Sequence, residues 1–169
     1  AEIYANSSNI GTVKVVQKIG VERQREFLEK LGLFDQMEFD LGEVSTPLTP
    51  QTWREINSYT ISYGHGISVS PLHLIRAVAS IAGEGHLVQP TLIKHPDAMP
   101  RLQDDEAIIS AKNRDKIRWM MRQVVEHGTA RKAEVPGMLM AGKTGTAEKV
   151  KSGGYAEKDK IASFVGMFP

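Results

Sequence analysis

The chain has 169 residues, with 21 lysines and arginines against 20 aspartates and glutamates, and no cysteine. This length suits one ordinary domain, and a composition of 41% hydrophobic and 24% charged residues is typical of globular proteins. The lack of cysteine excludes a disulfide framework, a zinc ribbon and a thiol nucleophile. A net charge of +1 gives no reason to expect a nucleic-acid partner.

The N-terminal part of the chain predicts two helices. Ser7-Ser8-Asn9, followed by apolar residues at every third position, indicates a capped amphipathic helix that ends at Gly20. A second helix, about 21–31, ends at Gly32. Residues 33–52 contain glycine and prolines and little periodicity, so we expect an extended surface connection there.

Two further helices are predicted in the middle of the chain. Ser70 and Pro71 supply an N-cap and a first-turn proline for a helix that ends at Gly83. Its expected buried residues are Leu72, Ile75, Val78, Ala79 and Ala82. Residues 86–94 predict a strand interrupted by Pro90. Ser110 caps the longest helix, about 111–127, and we interpret its basic residues as a solvated face: Lys112, Arg114, Lys116, Arg118 and Arg122.

Two strands are predicted near the end of the chain, at residues 138–150 and 161–168. The polar connection at 151–160 predicts a long antiparallel hairpin. Because helices are mixed with antiparallel strands, the predicted fold class is α+β.

The segment that includes Gly142 and Lys143 has two interpretations. Residues 137–144 satisfy the phosphate-loop pattern G-x-x-x-x-G-K-[ST], which requires a helix that begins at the lysine. Pro136 before the first glycine and the Gly145-Thr146 pair after the motif disfavour that geometry. We interpret the match as accidental, and nucleotide binding stays an alternative.

The second interpretation joins Lys143-Thr144-Gly145 to Ser7-Ser8-Asn9. These match the Lys-Thr-Gly and Ser-x-Asn motifs of penicillin-binding proteins and serine β-lactamases. The glycine lets a substrate backbone approach the strand edge. The lysine and neighbouring hydroxyls suit a carboxylate.

The surrounding sequence extends this match. The segments 63–72, 128–133, 143–149 and 162–169 resemble, in the same order, segments of class B penicillin-binding proteins. The 136-residue separation of the two motifs suits transpeptidases better than compact class A β-lactamases. The chain therefore resembles the C-terminal part of a class B transpeptidase domain, of the division or elongation type and with the division type favoured.

This resemblance implies a fold of helices packed on an antiparallel sheet and an activity as a peptidoglycan D,D-transpeptidase. In that family a serine forms an acyl-enzyme with the stem peptide, and β-lactams acylate the same serine. The implied partners are stem peptides, β-lactam antibiotics and divisome or elongasome proteins, with no nucleic acid and no cofactor. The implied location is the periplasmic face of the bacterial inner membrane, through an N-terminal anchor that this chain does not contain.

The resemblance also implies three catalytic residues. Ser7 would help to pass a proton to the leaving amine, and Asn9 would hydrogen-bond the amide backbone of the donor. Lys143 would supply a positive field around Ser7 and the substrate carboxylate.

Three neighbouring residues are implied to bind substrate. The hydroxyls of Thr144 and Thr146 would hold the carboxylate, and the Thr146 N–H would form half of the oxyanion hole. Gly145 would permit the close approach. The five histidines lack metal-ligand spacing, so no metal site is predicted. Tyr63 and His65 either border the substrate groove or form a structural turn.

One family motif is missing, because no serine in the chain is followed by a lysine three positions later. We therefore expect residues 1–169 to be a fragment of a single transpeptidase domain, without the nucleophile helix and the final strand and helix, and inactive by itself. Apolar surface uncovered by the missing helix predicts self-association. A non-catalytic, penicillin-recognising sensor or scaffold stays a further alternative.

Overall fold

The computed structural model describes residues 1–42, 44–94, 106–151 and 154–168, with the backbone alone for 148–151 and 154–159. Its elements in chain order are α1 (Glu2–Ala5), α2 (Asn9–Ile19), α3 (Val21–Lys30), α4 (Glu55–Ser62), α5 (Pro71–Ala82), α6 (Ala111–Glu126), a 3-10 turn (Arg131–Ala133), β1 (Ala141–Lys151) and β2 (Gly154–Met167). The helices and the antiparallel sheet confirm the predicted α+β class. Within the described ranges, no helix has both the length and the apolar character needed to cross a membrane.

The first two predicted helices form with the expected ends. Ser8 is the N-cap of α2, and its Oγ accepts from the Gly11 N–H at 3.1 Å. Gly20, with φ +91°, ends α2 and leads directly into α3. Because a side chain would strain this backbone conformation, glycine is the residue that permits so tight a junction.

The sequence did not predict α4. Its local sequence is rich in β-branched and polar residues that favour helices weakly. Contacts with other elements stabilise it: the Gln24 Nε2 donates to the Ser58 carbonyl at 3.1 Å, and the Trp53 Nε1 donates to the Ser58 Oγ at 2.8 Å. The Asn57 Oδ1 accepts from the Arg54 N–H at the start of the helix.

Helix α5 has the predicted ends, and its buried face agrees with the prediction in part. Ala82 is buried as predicted and Ile75 is 57% exposed, and the other buried residues are His73, Arg76, Ala77 and Ser80. The His73 Nε2 contacts the Asp35 carbonyl at 3.0 Å, and the Arg76 Nη2 donates to the Gly32 carbonyl at 2.7 Å. Buried polar groups are stable when they are bonded in this way. Apolar periodicity does not identify buried polar residues, so it missed His73, Arg76 and Ser80.

Three arginines of α6 contact backbone carbonyls, so the predicted solvated face is wrong for them. The Arg114 Nη1 and the Arg118 Nη2 donate to the Gly83 carbonyl at 2.7 and 2.8 Å, and the Arg118 Nε donates to the Ala82 carbonyl. The Arg122 Nη1 donates to the Met140 carbonyl at 2.7 Å. The first two arginines satisfy C-terminal carbonyls of α5, which have no partner within their own helix.

The predicted strand at 86–94 is wrong. Residues 86–94 form no strand segment, and a single bridge position at Val88 is their only strand-like feature. Pro90 cannot donate to a sheet ladder, and this limits pairing there.

The hairpin forms, and β2 begins earlier than predicted. It includes residues 154–160, which the sequence assigned to a connection, because pairing with β1 resumes beyond a register shift, with Val150 opposite Tyr155 and Lys151 opposite Gly154. The register places Lys143 opposite Val165 and Gly145 opposite Ser163. Helix α6 packs behind β1: Met121 forms a cluster with Ala141 and Ala82, and Tyr4 of α1 packs against it. This packing brings α1 next to the strand that carries Lys143.

Candidate active site

Ser7 lies in the turn between α1 and α2. Its φ of +51° is the one left-handed value at a non-glycine residue in the described ranges. Such a conformation costs about 1–3 kcal/mol and occurs often at functional sites. The Ser8 cap and the Ser8 N–H bond to the Ile3 carbonyl at 2.9 Å fix the turn around it. The Ser7 side chain is therefore exposed in a defined position.

Lys143 extends from β1 to this turn. Its Nζ donates to the Ser7 Oγ and, at 2.9 Å, to the carbonyl of Thr144. The same Nζ lies 5.8 Å from the centre of the Tyr4 ring, a cation–π contact. Burial lowers the pKa of the Lys143 ammonium. Among the described residues no carboxylate forms an ion pair with it, so its charge is available to an anionic ligand.

Thr144 is joined to the end of α6. Its Oγ1 lies 2.7 Å from the Oγ1 of Thr129, whose N–H donates to the Ala5 carbonyl at 3.2 Å. Gly128 packs so closely that a Cβ there would lie 2.3 Å from the same carbonyl oxygen. The segment after α6 therefore contacts both the Lys-Thr-Gly strand and the residues just before Ser7.

Packing within the sheet favours glycine at position 145. A Cβ at this position would lie 2.6 Å from the Oγ of Ser163 on β2. A larger residue would move the strand or the serine, and either change would shift the neighbouring Thr144 and Thr146.

Asn9 and Thr146 line one cleft. Its other lining residues are the turn Tyr63–His65, Ala147 and Lys160. Lys160 gives this polar cleft a positive charge. Tyr63 and His65 thus belong to a turn that borders this cleft.

Five of the predicted site residues therefore come together from distant parts of the chain, and Gly145 lies between two of them. The structure adds Tyr4 and Thr129, which the sequence did not assign. Thr129 belongs to the segment 128–133 that resembled the family, but no local pattern indicates that its hydroxyl meets Thr144.

The phosphate-loop alternative is wrong. Lys143 is the third residue of strand β1, which begins at Ala141. In the described ranges no helix begins at or after the motif. Without a helix N-terminus at the lysine, the segment has no phosphate cradle.

The described residues hold no cluster of three or more potential metal ligands among His, Cys, Asp and Glu. His95 lies outside the described residues.

Comparison with known proteins gives a single family. Residues 1–169 match the penicillin binding protein transpeptidase domain. The chain is 32% identical over 172 residues to a probable peptidoglycan D,D-transpeptidase FtsI of Caulobacter vibrioides, with 99% of this chain and 29% of the relative covered. It is 33% identical to stage V sporulation protein D of Bacillus subtilis, with 99% and 28% covered. The chain thus spans less than a third of the length of these curated relatives.

Solved structures agree on the fold. The apo transpeptidase domain of penicillin-binding protein 3 from Burkholderia pseudomallei has a TM-score of 0.85 and 36% identity, with 95% of this chain and 49% of that chain covered. Penicillin-binding protein 3 from Mycobacterium tuberculosis in complex with aztreonam has a TM-score of 0.87 and 32% identity, with 98% and 41% covered. These matches confirm both the resemblance and the fold inferred from the sequence, and the chain belongs to the penicillin-binding protein transpeptidase domain family.

Proposed function

We propose that the chain is part of a serine-type peptidoglycan D,D-transpeptidase, in which Ser7, Asn9 and Lys143 are catalytic residues. The observation that carries this proposal is the hydrogen bond from the Lys143 Nζ to the Ser7 Oγ, across 136 residues of chain. This bond connects the Ser-x-Asn motif with the Lys-Thr-Gly motif. The ammonium group that forms it, on Lys143, is partly removed from solvent.

The substrate side of the proposal rests on charge. A stem peptide ending in D-Ala-D-Ala and a β-lactam both present a carboxylate next to the carbonyl that is attacked. Lys143 has a positive charge without a carboxylate partner in the described part of the chain, and hydroxyls flank it on Thr144 and Thr146. These groups hold the carboxylate. Gly145 has no side chain, so the substrate backbone can approach the strand closely.

The proton path uses the same contact. Because the Lys143 ammonium donates to the Ser7 Oγ, the Ser7 hydroxyl hydrogen is directed away from the lysine. When the nucleophilic serine attacks, this hydrogen passes to the leaving amine, and the Ser7 Oγ takes up the proton that the nucleophile releases, so Ser7 is unchanged at the end of the step. Asn9 holds the amide backbone of the donor, and the Thr146 N–H stabilises the developing oxyanion.

The nucleophile belongs to a Ser-x-x-Lys motif that lies outside residues 1–169 in our proposal, so residues 1–169 are inactive by themselves. We assign the whole protein a division-type role at the periplasmic face of the inner membrane. Divisome or elongasome proteins are its partners there. The class B resemblance supports these assignments.

The test uses the complete protein, a fluorescent penicillin and a D-Ala-D-Ala donor with a D-amino acid acceptor. We expect stoichiometric labelling and donor turnover, and a loss of both in Lys143→Ala and Ser7→Ala. The control is Lys132→Ala, which removes an exposed lysine from the 3-10 turn. Labelling without turnover indicates a non-catalytic sensor. Covalent labelling of residues 1–169 by themselves contradicts the placement of the nucleophile.

A further inference from the structure

We propose that Thr129 is a positioning residue for the substrate carboxylate. Its hydroxyl donates to the Thr144 Oγ1 and so leaves the Thr144 hydroxyl hydrogen available to the carboxylate. This inference rests on the proposed transpeptidase function and goes beyond the two motifs, because Thr129 belongs to neither of them.

The first step is the contact itself. The Thr129 Oγ1 and the Thr144 Oγ1 are 2.7 Å apart, the normal distance for a hydrogen bond between two hydroxyls. Thr144 is partly buried on β1, and Thr129 is exposed at the end of α6. The bond therefore joins two residues at the rim of the candidate site.

The second step is the rigid placement of Thr129. Its N–H donates to the Ala5 carbonyl at 3.2 Å, and the N–H of the buried Ala130 donates to the Val124 carbonyl at 3.1 Å. Gly128 fits against Ala5 with no room for a Cβ. The hydroxyl of Thr129 is thus anchored to the same segment that leads into Ser7.

The third step is the count of hydrogens. A threonine hydroxyl has one hydrogen to donate and two lone pairs that accept. A carboxylate accepts only, so Thr144 can bind it through a hydrogen bond only if its own hydrogen is not given to Thr129. Donation from Thr129 to Thr144 meets this condition, and it also polarises the Thr144 hydroxyl.

The fourth step separates this role from a structural one. Thr129 is exposed, and its side-chain bond is to one partially exposed hydroxyl. Removal of such a hydroxyl leaves no buried group without a partner, so the fold loses little. Removal of the Thr129 hydroxyl should therefore weaken recognition of the substrate carboxylate and leave the fold intact.

The experiment measures the second-order rate of acylation of the complete protein by a penicillin with a free carboxylate and by its methyl ester. Thr129→Val keeps the shape of the side chain and removes the hydroxyl, and Thr129→Ser keeps the hydroxyl. We expect Thr129→Val to acylate about 10-fold more slowly with the acid and at an unchanged rate with the ester. Thr129→Ser should retain the wild-type ratio of the two rates.

A Thr129→Val variant with equal losses for acid and ester, or with no loss, overturns the role of Thr129. Failure of Thr129→Ser to keep the ratio does the same. Thr129→Ala must repeat the selective loss, which guards against misfolding of the valine variant. If the wild-type protein is not acylated, or does not prefer the acid to the ester, the proposed function itself fails. That result is distinct from a wild-type preference that the Thr129 variants leave unchanged.

Discussion

The burial of the Lys143 ammonium has a cost to the fold. Burial lowers the pKa of its ammonium below the ordinary value of 10.5. Between the folded and unfolded pKa values the unfolded chain binds more protons, so the folded state gains stability as the pH rises through that window. Below the pKa of Lys143 in the folded state, the full free-energy cost of burying the charged ammonium remains. A site that binds an anion thus retains a charge that the fold disfavours.

The first prediction concerns the alkaline limb of activity. In the proposed mechanism the charged form of Lys143 binds the carboxylate, so kcat/KM should fall as the pH rises through the lowered pKa of Lys143, below 10.5. Burial raises the pKa of the adjacent Tyr4 above its ordinary value. The measurement is a pH profile of acylation by the complete protein. In Lys143→Arg, which stays charged, the alkaline decrease in kcat/KM should disappear. If the decrease is unchanged in this variant, another group causes it.

The second prediction separates activity from stability. Lys143→Met should lower acylation by about 100-fold or more, because it removes an oriented charge at the reacting centre. The same change should leave the free energy of unfolding at pH 7 equal to or above that of the wild type, since a desolvated cation is removed. Chemical denaturation is the measurement, with the exposed Lys132→Met as the control. A clear loss of stability specific to Lys143→Met contradicts this account.

The third prediction concerns Gly128. Gly128→Ala places a Cβ against the Ala5 carbonyl and should destabilise the protein by about 1–3 kcal/mol. It should also slow acylation, because Ala5 leads into Ser7. The matched control is Gly42→Ala, where no atom lies within 4 Å of the new Cβ. Equal unfolding energies for the two variants would show that the Ala5 contact is not rigid.

The site was predictable from the sequence to the extent that its residues belong to short motifs. Ser7, Asn9 and Lys143 stand in patterns of three residues whose chemistry is recognisable. The contacts of Tyr4 with Lys143 and of Thr129 with Thr144 join separate elements, and no local pattern contains them.

At the scale of elements, the sequence predicted helices where a cap and a stop residue frame them. Helices α2 and α5 have both, and their ends agree with the prediction. Helix α4 lacks a strong local signal and depends on Gln24 and Trp53, which lie outside it. The prediction for the buried face of α5 holds for Ala82 and misses His73 and Arg76, because hydrogen bonds to other segments stabilise these polar residues.

The fourth prediction belongs to the contact between α5 and α6. Arg118→Met removes the hydrogen bonds to the last carbonyls of α5 and should destabilise the protein by about 1–2 kcal/mol. The exposed neighbour Lys116→Met should change stability by less than about 0.5 kcal/mol. Thermal or urea unfolding compares the two. Similar effects for both would mean that the arginine contributes only general surface charge.

At the scale of the whole molecule, apolar side chains are exposed in two grooves beside the hairpin. One groove lies between α5 and β2, where Ile75 is 57% exposed and Phe164 43%. A second lies beside α6, where Trp119 is 55% exposed, Leu139 68% and Phe168 64%. Large exposed apolar patches are uncommon on monomeric proteins.

The fifth prediction follows from these patches. Residues 1–169 expressed by themselves should associate with increasing concentration, and Ile75→Glu should weaken the association by placing a charge in one groove. Light scattering across a range of concentrations measures the mass. Lys116→Glu, a charge change on an exposed position outside both grooves, is the control. A constant monomer mass for the unmodified chain contradicts the prediction.

The hydrogen bond between Ser7 and Lys143 spans most of the chain, and this determines when in folding the site can exist. Closing a loop of 136 residues costs about 4 kcal/mol of chain entropy, which the helices in between must first offset through their own contacts. Helices α2 and α3 pack against each other and against α4, all within residues 9–62, and can form before this long loop closes. A molecule stopped halfway would therefore be helical and would lack the contact between Ser7 and Lys143, so formation of this contact measures the completion of folding and helix content does not.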